Sequence, residues 1–262
     1  MSRVLPVRLF VSDIDGCLAV PFEPFRIGRM RKLRRRARRA SVTDPERPAL
    51  TICSGRSYSY VEAVAQVLET RAPSLFESGA GMIDPDTMQP MWNPMLTGDL
   101  LDELETVREF FARQFGSTSG LWIHREKRTQ AGLAGSPEAI AAAIPMSREF
   151  VTSEHPELLF ATTRYSIDVL PKTLTKKEGL AWLSEVVDVP LAAMAFIGDA
   201  DGDIGALQAA GVGFAPANAV PEVRAVADAV TTGATIDGVL EAYDWCVQHN
   251  RALIRKPPAD DT

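Results

Sequence analysis

The sequence feature that most constrains this fold is Leu9–Gly16, LFVSDIDG, where an apolar run ends in two aspartates one residue apart. The apolar run predicts a buried β-strand that carries Asp13 and Asp15 at its carboxyl end. Buried carboxylates are costly unless a cation, hydrogen bonds or a shifted pKa compensates for the lost water. On its own the stretch has two interpretations: a strand followed by a turn, because Asp and Gly favour turns, or one part of a functional site.

The composition is that of a soluble globular protein with one large domain or two smaller ones: 262 residues, 46% hydrophobic and 24% charged. No run of 18 apolar residues is present, so we expect no transmembrane helix. The short apolar stretch in Met1–Pro6 does not resemble a secretory signal. Three cysteines without paired spacing, Cys17, Cys53 and Cys246, indicate free thiols and a cytoplasmic protein.

Positive charge is concentrated in residues 26–39, which hold nine Lys or Arg and no acid, although the net charge of the chain is −6. Apolar residues recur there at spacings of three or four, which predicts a helix packed on a sheet; they are Ile27, Met30, Leu33, Ala37 and Ala40. The cations form either a solvated helix face or a surface for an anionic partner. We expect the solvated face, with no membrane or nucleic-acid partner.

Further apolar runs also end in small polar residues, and amphipathic helices separate them. Ala49–Cys53 leads into Ser54-Gly55-Arg56, Ser74–Glu77 leads into Ser78-Gly79, and Ala193–Ile197 leads into Gly198-Asp199. Strands that alternate with helices in this way predict an α/β fold with a parallel sheet.

The pattern changes after Met82. Breaker residues follow, and the strand pair at about 157–170 alternates polar and apolar residues, as in a sheet with one solvated face. We therefore predict a small inserted α/β domain at residues 83–169, which divides the core into residues 1–82 and 170–262.

The carboxyl ends of parallel strands form one edge of a sheet, where ligands bind in open α/β folds. Several carboxylates that meet there repel each other unless a hard divalent cation such as Mg²⁺, which prefers oxygen ligands, lies among them. A hydroxyl and a lysine beside that cation suit a phosphate. The sequence thus predicts a magnesium-dependent phosphoryl-transfer site from Asp13, Asp15, Ser54, Lys176 or Lys177, Asp199 and Asp203.

In their order, these residues resemble the four motifs of the haloacid dehalogenase superfamily: Asp13-Ile14-Asp15-Gly16, Thr51–Arg56, a lysine that opens a helix, and Gly198-Asp199 with Asp203. The spacing is similar to the phosphatase branch that carries an α/β cap between the second and third motifs. Glu77–Ala80 resembles that branch's Asn-Gly-Ala turn, and Ala217–Ala219 with Asp237-Gly238 resemble its C-terminal signatures.

The resemblance implies a Rossmann-like core with a smaller cap domain and a mechanism with assigned roles. Asp13 would attack phosphorus, and Asp15 would protonate the leaving oxygen and then activate water. Ser54, Gly55 and a lysine would hold the phosphoryl group. Asp13, the backbone carbonyl of Asp15, Asp199 and Asp203 would hold Mg²⁺. The implied substrate is a small phosphorylated metabolite, a sugar phosphate or a phosphoglycolate-like acid.

The sequence departs from the family pattern at two positions and is ambiguous at a third. Gly202 replaces an Asn that could touch the metal shell, and Ser78 replaces the Asn of the phosphate-side turn, which we expect to loosen that turn. The family's lysine corresponds to Lys176 or Lys177, and the helix pattern that follows favours Lys176. In the cap, His124, Arg125, Lys127 and Arg164 are candidate substrate contacts.

Two other functions remain open from the sequence. A receiver-type phosphoacceptor domain also uses acids, a hydroxyl and a lysine, but its phosphorylated aspartate ends a later strand of a shorter chain. A catalytically weak relative would instead bind a phosphorylated ligand, or an anionic partner through residues 26–39. Salt-sensitive binding without phosphatase turnover would indicate that second function.

Overall fold

A computed structural model describes residues 5–255, and it confirms the predicted α/β class. The strands are β1 Leu9–Ser12, β2 Ala49–Ile52, β3 Ser74–Phe76, β4 Gly81–Ile83, β5 Pro90–Trp92, β6 Leu121–Ile123, β7 Ala131–Gly135, β8 Leu158–Thr162, β9 Ser166–Pro171, β10 Met194–Ile197, β11 Val212–Ala215 and β12 Ala229–Val230. The α-helices are α1 Ile27–Ala37, α2 Tyr58–Leu68, α3 Gly98–Phe115, α4 Pro137–Glu154, α5 Lys176–Val186, α6 Ile204–Ala209, α7 Pro221–Val226 and α8 Thr235–Arg255.

The central sheet has five parallel strands in the order β12-β11-β10-β1-β2. All four residues of β1 are buried, because helices cover both faces. Phe10 packs in a cluster with α1, α2 and α8, whereas Leu9 and Val11 pack on the other face against α5, α6 and α7. This double coverage explains why the strands are continuously apolar rather than alternating.

The register brings three chain segments to one level at the carboxyl edge. Ser12, the last residue of β1, pairs with Ile197 of β10 on one side and with Ile52 of β2 on the other. The residues that follow these positions are Asp13, Gly198 and Cys53, so the motifs after the three strands start from adjacent points of the sheet.

The basic segment forms α1, whose buried residues are Met30, Leu33 and Ala37. Four of its nine cations form ion pairs: Arg26 and Arg29 with Asp237, Arg34 with Glu69, and Arg36 with Asp244. Ile27, which we placed on the apolar stripe, is 63% exposed at the first position of the helix.

A second sheet, antiparallel in the order β6-β7-β9-β8, lies between the two halves of the core sequence. Helices α3 and α4 cover one face of it, over a cluster that includes Phe111, Leu133 and Ile167. The opposite face carries polar side chains, among them His124 and Asp168. Before it, β3, β4 and β5 form a small antiparallel sheet.

This second unit runs from α3 to β9, while β4 and β5 pair with β3 of the core. The division at residues 83 and 169 stays a prediction. Within residues 5–255, no helix combines the length and the apolar character needed to cross a bilayer.

Candidate active site

Asp13 lies directly after β1 and is 5% exposed. Burial raises the pKa of its carboxyl well above the ordinary value, and Asp203, Asp15 and Asp199 raise it further, while the ammonium of Lys176 opposes them. Oδ1 of Asp13 lies 3.0 Å from Nζ of Lys176. A carboxylate held in such surroundings needs additional positive charge to stay ionised.

Lys176 is the first residue of α5 and points into the site. Its Nζ lies 2.6 Å from Oδ1 of Asp203, in addition to its contact with Asp13. Burial disfavours the ammonium, but Asp13 and Asp203 outweigh burial and raise the pKa of Lys176 well above its ordinary value. The side chain of Lys177 is 60% exposed, and its nearest acid is Glu178. Of the two lysines, Lys176 is therefore the one that the structure brings to Asp13.

Asp203 ties together the loop after β10. It is fully buried, and its Oδ2 accepts hydrogen bonds from the backbone N–H groups of Asp199 (3.0 Å) and Ala200 (3.1 Å). A Cβ at position 198 would collide with the Asp203 side chain, so this position requires glycine. The pKa of Asp199 is raised to about 7 by burial and by the charge of Asp203, against the opposing charge of Lys176.

The acids at this edge fit a divalent cation. Oxygen atoms of Asp13, Asp199 and Asp203 all lie within 4.8 Å of one another. Among the described residues, Oδ1 of Asp13 and Oδ1 of Asp199 are buried and accept no well-directed hydrogen bond. Carboxylate oxygens at this spacing, held by no well-directed hydrogen bond, are the kind of ligand that Mg²⁺ prefers. The carboxylate of Asp15 does not belong to this cluster, which leaves its backbone carbonyl as the predicted ligand.

Asp15 is instead paired with Arg56. Nε and Nη2 of Arg56 donate to the two carboxylate oxygens of Asp15, each over 2.6 Å. This pair raises the pKa of the guanidinium. The guanidinium also lies over two rings, 4.7 Å from the centre of Tyr60 and 5.6 Å from that of Phe22. Arg56, the last residue of the second motif, therefore forms a salt bridge with Asp15.

Ser54 and Gly55 follow β2 at the same edge. Ser54 is 1% exposed, its Oγ accepts from the N–H of Arg56 at 3.3 Å, and its carbonyl accepts from the N–H of Ser78 at 2.9 Å. A Cβ on Gly55 would lie 3.4 Å from Oγ of Ser78. The turn after β3 therefore borders the predicted phosphate-binding residues.

That turn adopts an unusual backbone. Glu77 (φ 47°) and Ser78 (φ 59°) are both left-handed, a conformation that costs a non-glycine residue about 1–2 kcal/mol. Gly79 (φ 90°) follows, and a Cβ there would lie 2.5 Å from Cα of Gly179 in α5. The Ser78 hydroxyl accepts from Nε2 of Gln130 at 3.0 Å, so the side chain that we expected to loosen the turn takes part in holding it.

Asp168 of β9 lies in a polar cluster with Lys127 and Gln130, which precede β7 in the chain. Nζ of Lys127, a 9% exposed residue, donates to Oε1 of Gln130 (2.8 Å) and to Oδ1 of Asp168 (2.9 Å). Burial raises the pKa of Asp168, but the charge and hydrogen bond of Lys127 outweigh it, so the net shift is downward. His124 pairs with Glu126 at 2.8 Å. The other two predicted contacts, Arg125 and Arg164, are exposed.

The sequence placed two further residues, Asn218 and Glu77, within motifs but assigned them no role. Asn218 donates through Nδ2 to the carbonyl of Gly16 (2.9 Å) and accepts through Oδ1 from the N–H of Thr235 (2.7 Å), so it ties the loop after β1 to the start of α8. Glu77, 2% exposed, accepts hydrogen bonds from residues 128 and 129 of the inserted segment. An acid at the end of the apolar run Ser74–Phe76 was the available signal for Glu77.

Comparison with known proteins agrees with this geometry. A model of the haloacid dehalogenase-like hydrolase family matches residues 141–242, which include Lys176, Asp199 and Asp203. A curated relative, the phosphoglycolate phosphatase of Natronomonas pharaonis, is 25% identical over 197 residues, which cover 74% of this chain and 82% of that protein.

Two solved structures share the fold. A Thermoplasma acidophilum protein superimposes with a TM-score of 0.74 at 17% identity, covering 92% of this chain and 99% of the other. A haloacid dehalogenase-like hydrolase from Bacteroides thetaiotaomicron gives 0.69 at 20% identity, covering 91% and 98%. Residues 141–242 thus match the haloacid dehalogenase-like hydrolase family, and the described part of the chain shares the fold of these two structures.

Proposed function

We propose that this protein is a Mg²⁺-dependent phosphatase that hydrolyses a small phosphorylated metabolite through an aspartyl-phosphate on Asp13. One observation carries the proposal: a buried aspartate at a strand end lies against the ammonium of Lys176 and among the oxygens of Asp199 and Asp203. A divalent cation at this edge would compensate the excess of buried negative charge, and together with Lys176 it would hold the anionic phosphoryl group. Three buried and unpaired cysteines agree with a cytoplasmic enzyme.

Asp13 is the nucleophile in this proposal. One of its oxygens forms a bond to phosphorus while the bond from phosphorus to the leaving oxygen breaks. Ser54, the backbone at Gly55 and Lys176 hold the phosphoryl oxygens and stabilise the charge that they carry in the transition state. Water then attacks the phosphorus of the aspartyl-phosphate, which releases phosphate and restores the carboxylate.

Asp15 moves the proton in both steps. It donates a proton to the leaving oxygen in the first step and takes one from the attacking water in the second. Both of its oxygens accept from Arg56 in this structure. Donation requires a proton on Asp15, so one of these hydrogen bonds must give way to an O–H that points at the leaving oxygen when the substrate binds. The proton that Asp15 takes from water in the second step is the one it donates in the next turnover.

Asp13, Asp199, Asp203 and the backbone carbonyl of Asp15 would hold the Mg²⁺ ion. The ion, when bound, neutralises charge on the phosphoryl group and on the acids. Asp203 also keeps the loop after β10 in place through two backbone N–H groups.

We further propose that residues 83–169 act as a cap that selects the substrate and excludes water from the site. The polar cluster around Lys127 and Asp168 offers a cation and hydrogen-bond acceptors to a leaving group. A carboxylate or hydroxyl group on a short carbon chain suits that cluster. The curated relatives named phosphoglycolate phosphatase agree with such a leaving group, and sugar phosphates are the second class to examine.

The test is a screen of the purified protein against a panel of phosphorylated metabolites and p-nitrophenyl phosphate, with and without Mg²⁺. We expect Mg²⁺-dependent release of phosphate, and its loss in Asp13→Asn by a factor of about 10⁴ or more. Asp201→Asn, an exposed acid near the same edge, is the control and keeps wild-type activity. Full activity of Asp13→Asn contradicts the mechanism. No turnover by the wild type would favour the catalytically weak relative instead.

A further inference from the structure

The unit from α3 to β9 contacts the rest of the chain at a short loop, residues 128–130, as well as through Tyr165 against Phe22. Each of the three loop residues has a partner outside that unit. The guanidinium of Arg128 lies 4.7 Å over the ring of Trp92. Thr129 is fully buried against Glu77, and Gln130 donates to Ser78. We call this set of contacts, residues 128–130 with Trp92, Glu77 and Ser78, the docking point.

The carboxylate of Glu77 is the centre of this docking point. It accepts three hydrogen bonds from the loop: from the N–H of Arg128 (3.1 Å), the N–H of Thr129 (2.6 Å) and the hydroxyl of Thr129 (2.7 Å). A buried carboxylate is costly unless donors satisfy it. All three donors come from a segment about 50 residues further along the chain, so the loop provides the hydrogen bonds that compensate for the burial of this carboxylate.

On its other side, Glu77 belongs to the turn that borders the phosphate-binding residues. Its own N–H donates to the carbonyl of Arg56, and the next N–H, of Ser78, donates to the carbonyl of Ser54, both over 2.9 Å. The same turn is pressed against α5 at Gly179, three residues after Lys176. One turn thus contacts the second motif, the helix of the lysine and the inserted segment.

We propose that Glu77 is a positioning residue: its carboxylate docks loop 128–130 on this turn, which sets the distance between the cap and the phosphoryl group. The strained left-handed backbone at Glu77 and Ser78 agrees with such a role, because strain is retained where surrounding contacts require one geometry. Gln130 also binds Lys127, so the dock fixes the cation of the polar cluster as well. The inference rests on the proposed phosphatase function.

The decisive experiment compares Glu77→Ala, Glu77→Gln and Thr129→Val with the wild type. With 2-phosphoglycolate as the probe, or the best substrate of the panel, we expect kcat/KM to fall by about 10- to 100-fold in Glu77→Ala, since small displacements of a positioned group have effects of this size. Glu77→Gln keeps one acceptor oxygen and loses less, and Thr129→Val, which removes only one of three donors, loses least. The loss with p-nitrophenyl phosphate is smaller than with the metabolite.

A second readout does not depend on turnover. Amide hydrogen exchange in residues 125–132 becomes faster in Glu77→Ala, while stabilisation of the protein by Mg²⁺ is unchanged, because the acids at the sheet edge are untouched. Unchanged exchange together with an unchanged ratio of the two kcat/KM values would overturn the proposal.

The two proposals fail in different ways. A wild type that hydrolyses no phosphate ester refutes the phosphatase, while exchange in the loop still decides whether Glu77 docks it. If Glu77→Ala does not fold, Thr129→Val and Gln130→Ala on the inserted side decide, because both leave the core sequence intact. Wild-type selectivity and wild-type exchange in both of these variants contradict the docking role.

Discussion

The two sheets of this protein place their charged groups in opposite surroundings. In the parallel core sheet every residue of β1 and β10 is buried, and charge appears only where the strands end. In the antiparallel inserted sheet one face packs on helices, and the opposite face carries two polar side chains, Ser166 and Asp168, within β9. The contrast follows from coverage, because a parallel sheet has helices on both faces while an antiparallel sheet can leave one face open. The core sheet therefore collects its charged groups at one edge, whereas the inserted sheet holds charge within a strand.

The same contrast separates two aspartates. The pKa of Asp199, at the edge of the core sheet, is raised to about 7 because burial and Asp203 both disfavour its charge. The pKa of Asp168, on the inserted sheet, is lowered because Lys127 outweighs burial. The surroundings of Asp199 therefore disfavour its negative charge, whereas those of Asp168 favour it.

The largest effect should come from removing the core cation. Lys176→Met leaves Asp13 and Asp203 buried without a positive partner, which we expect to destabilise the fold by about 3 kcal/mol. The loss of a donor to the phosphoryl group should lower kcat by about 10²- to 10³-fold. Phosphate-release kinetics and chemical denaturation measure the two effects.

The matched control is Lys177→Met, which changes the adjacent, exposed lysine. It should behave as the wild type in both assays. Equal losses of kcat and stability in the two variants would show that the contacts of Lys176 with Asp13 and Asp203 are not the cause of either loss.

An intermediate effect should come from removing the cation of the inserted sheet. Lys127→Met deprives Asp168 of its partner and the leaving group of a charged donor, so KM for 2-phosphoglycolate should rise by about 10-fold. The value of kcat should change little, because the core is untouched. Steady-state kinetics separate the two parameters, and Arg125→Met, at an exposed neighbouring position, serves as the control. A fall in kcat without a rise in KM would contradict the division of labour between the sheets.

The smallest effect concerns stability against pH without metal. Asp199 titrates near 3.8 when unfolded and near 7 when folded, so the folded state holds the extra proton between these values. The free energy of unfolding should therefore fall as pH rises through that window. Asp199→Asn removes this penalty, which we expect to stabilise the metal-free protein at pH 8 by about 1–2 kcal/mol after discounting for partial exposure.

The opposite sign is expected for Asp168, whose folded pKa lies below 3.8. Its stabilising contribution is present above pH 3.8 and is lost only at lower pH, so Asp168→Asn should destabilise the protein at pH 8. Denaturation curves in a chelator at pH 5 to 8 check both variants. A wild type whose stability rises steadily over that range would refute the assignment for Asp199.

The core and its edge could be predicted because each signal is local. An apolar run that ends in acids or small polar residues specifies both the strand and its last residue, so Asp13, Ser54 and Asp199 follow from their own neighbours in sequence. The helix pattern also favoured Lys176, since residues on one face of α5 recur at fixed spacing.

The partners across long sequence separations could not be predicted. Glu77 meets Thr129 and Arg56 meets Asp15 only after the chain has folded, and neither pairing leaves a periodic trace. The same holds for the inserted sheet: alternation predicts a solvated face, but the meeting of Lys127 with Asp168 depends on how a loop crosses β9. Local sequence patterns predict the strands and helices and where they end, whereas contacts between loops depend on the tertiary structure.

The contact of Gly79 with Gly179 has a consequence for the size of the proposed phosphate subsite. Two backbones meet there with no side chain between them, one in the turn beside Ser54 and one a single helical turn after Lys176. Because no side chain separates the two glycines, the turn beside Ser54 approaches the helix of Lys176 as closely as two backbones can. The backbone contact thus sets the distance between Ser54 and Lys176, and the side chains provide the hydrogen-bonding groups at that distance.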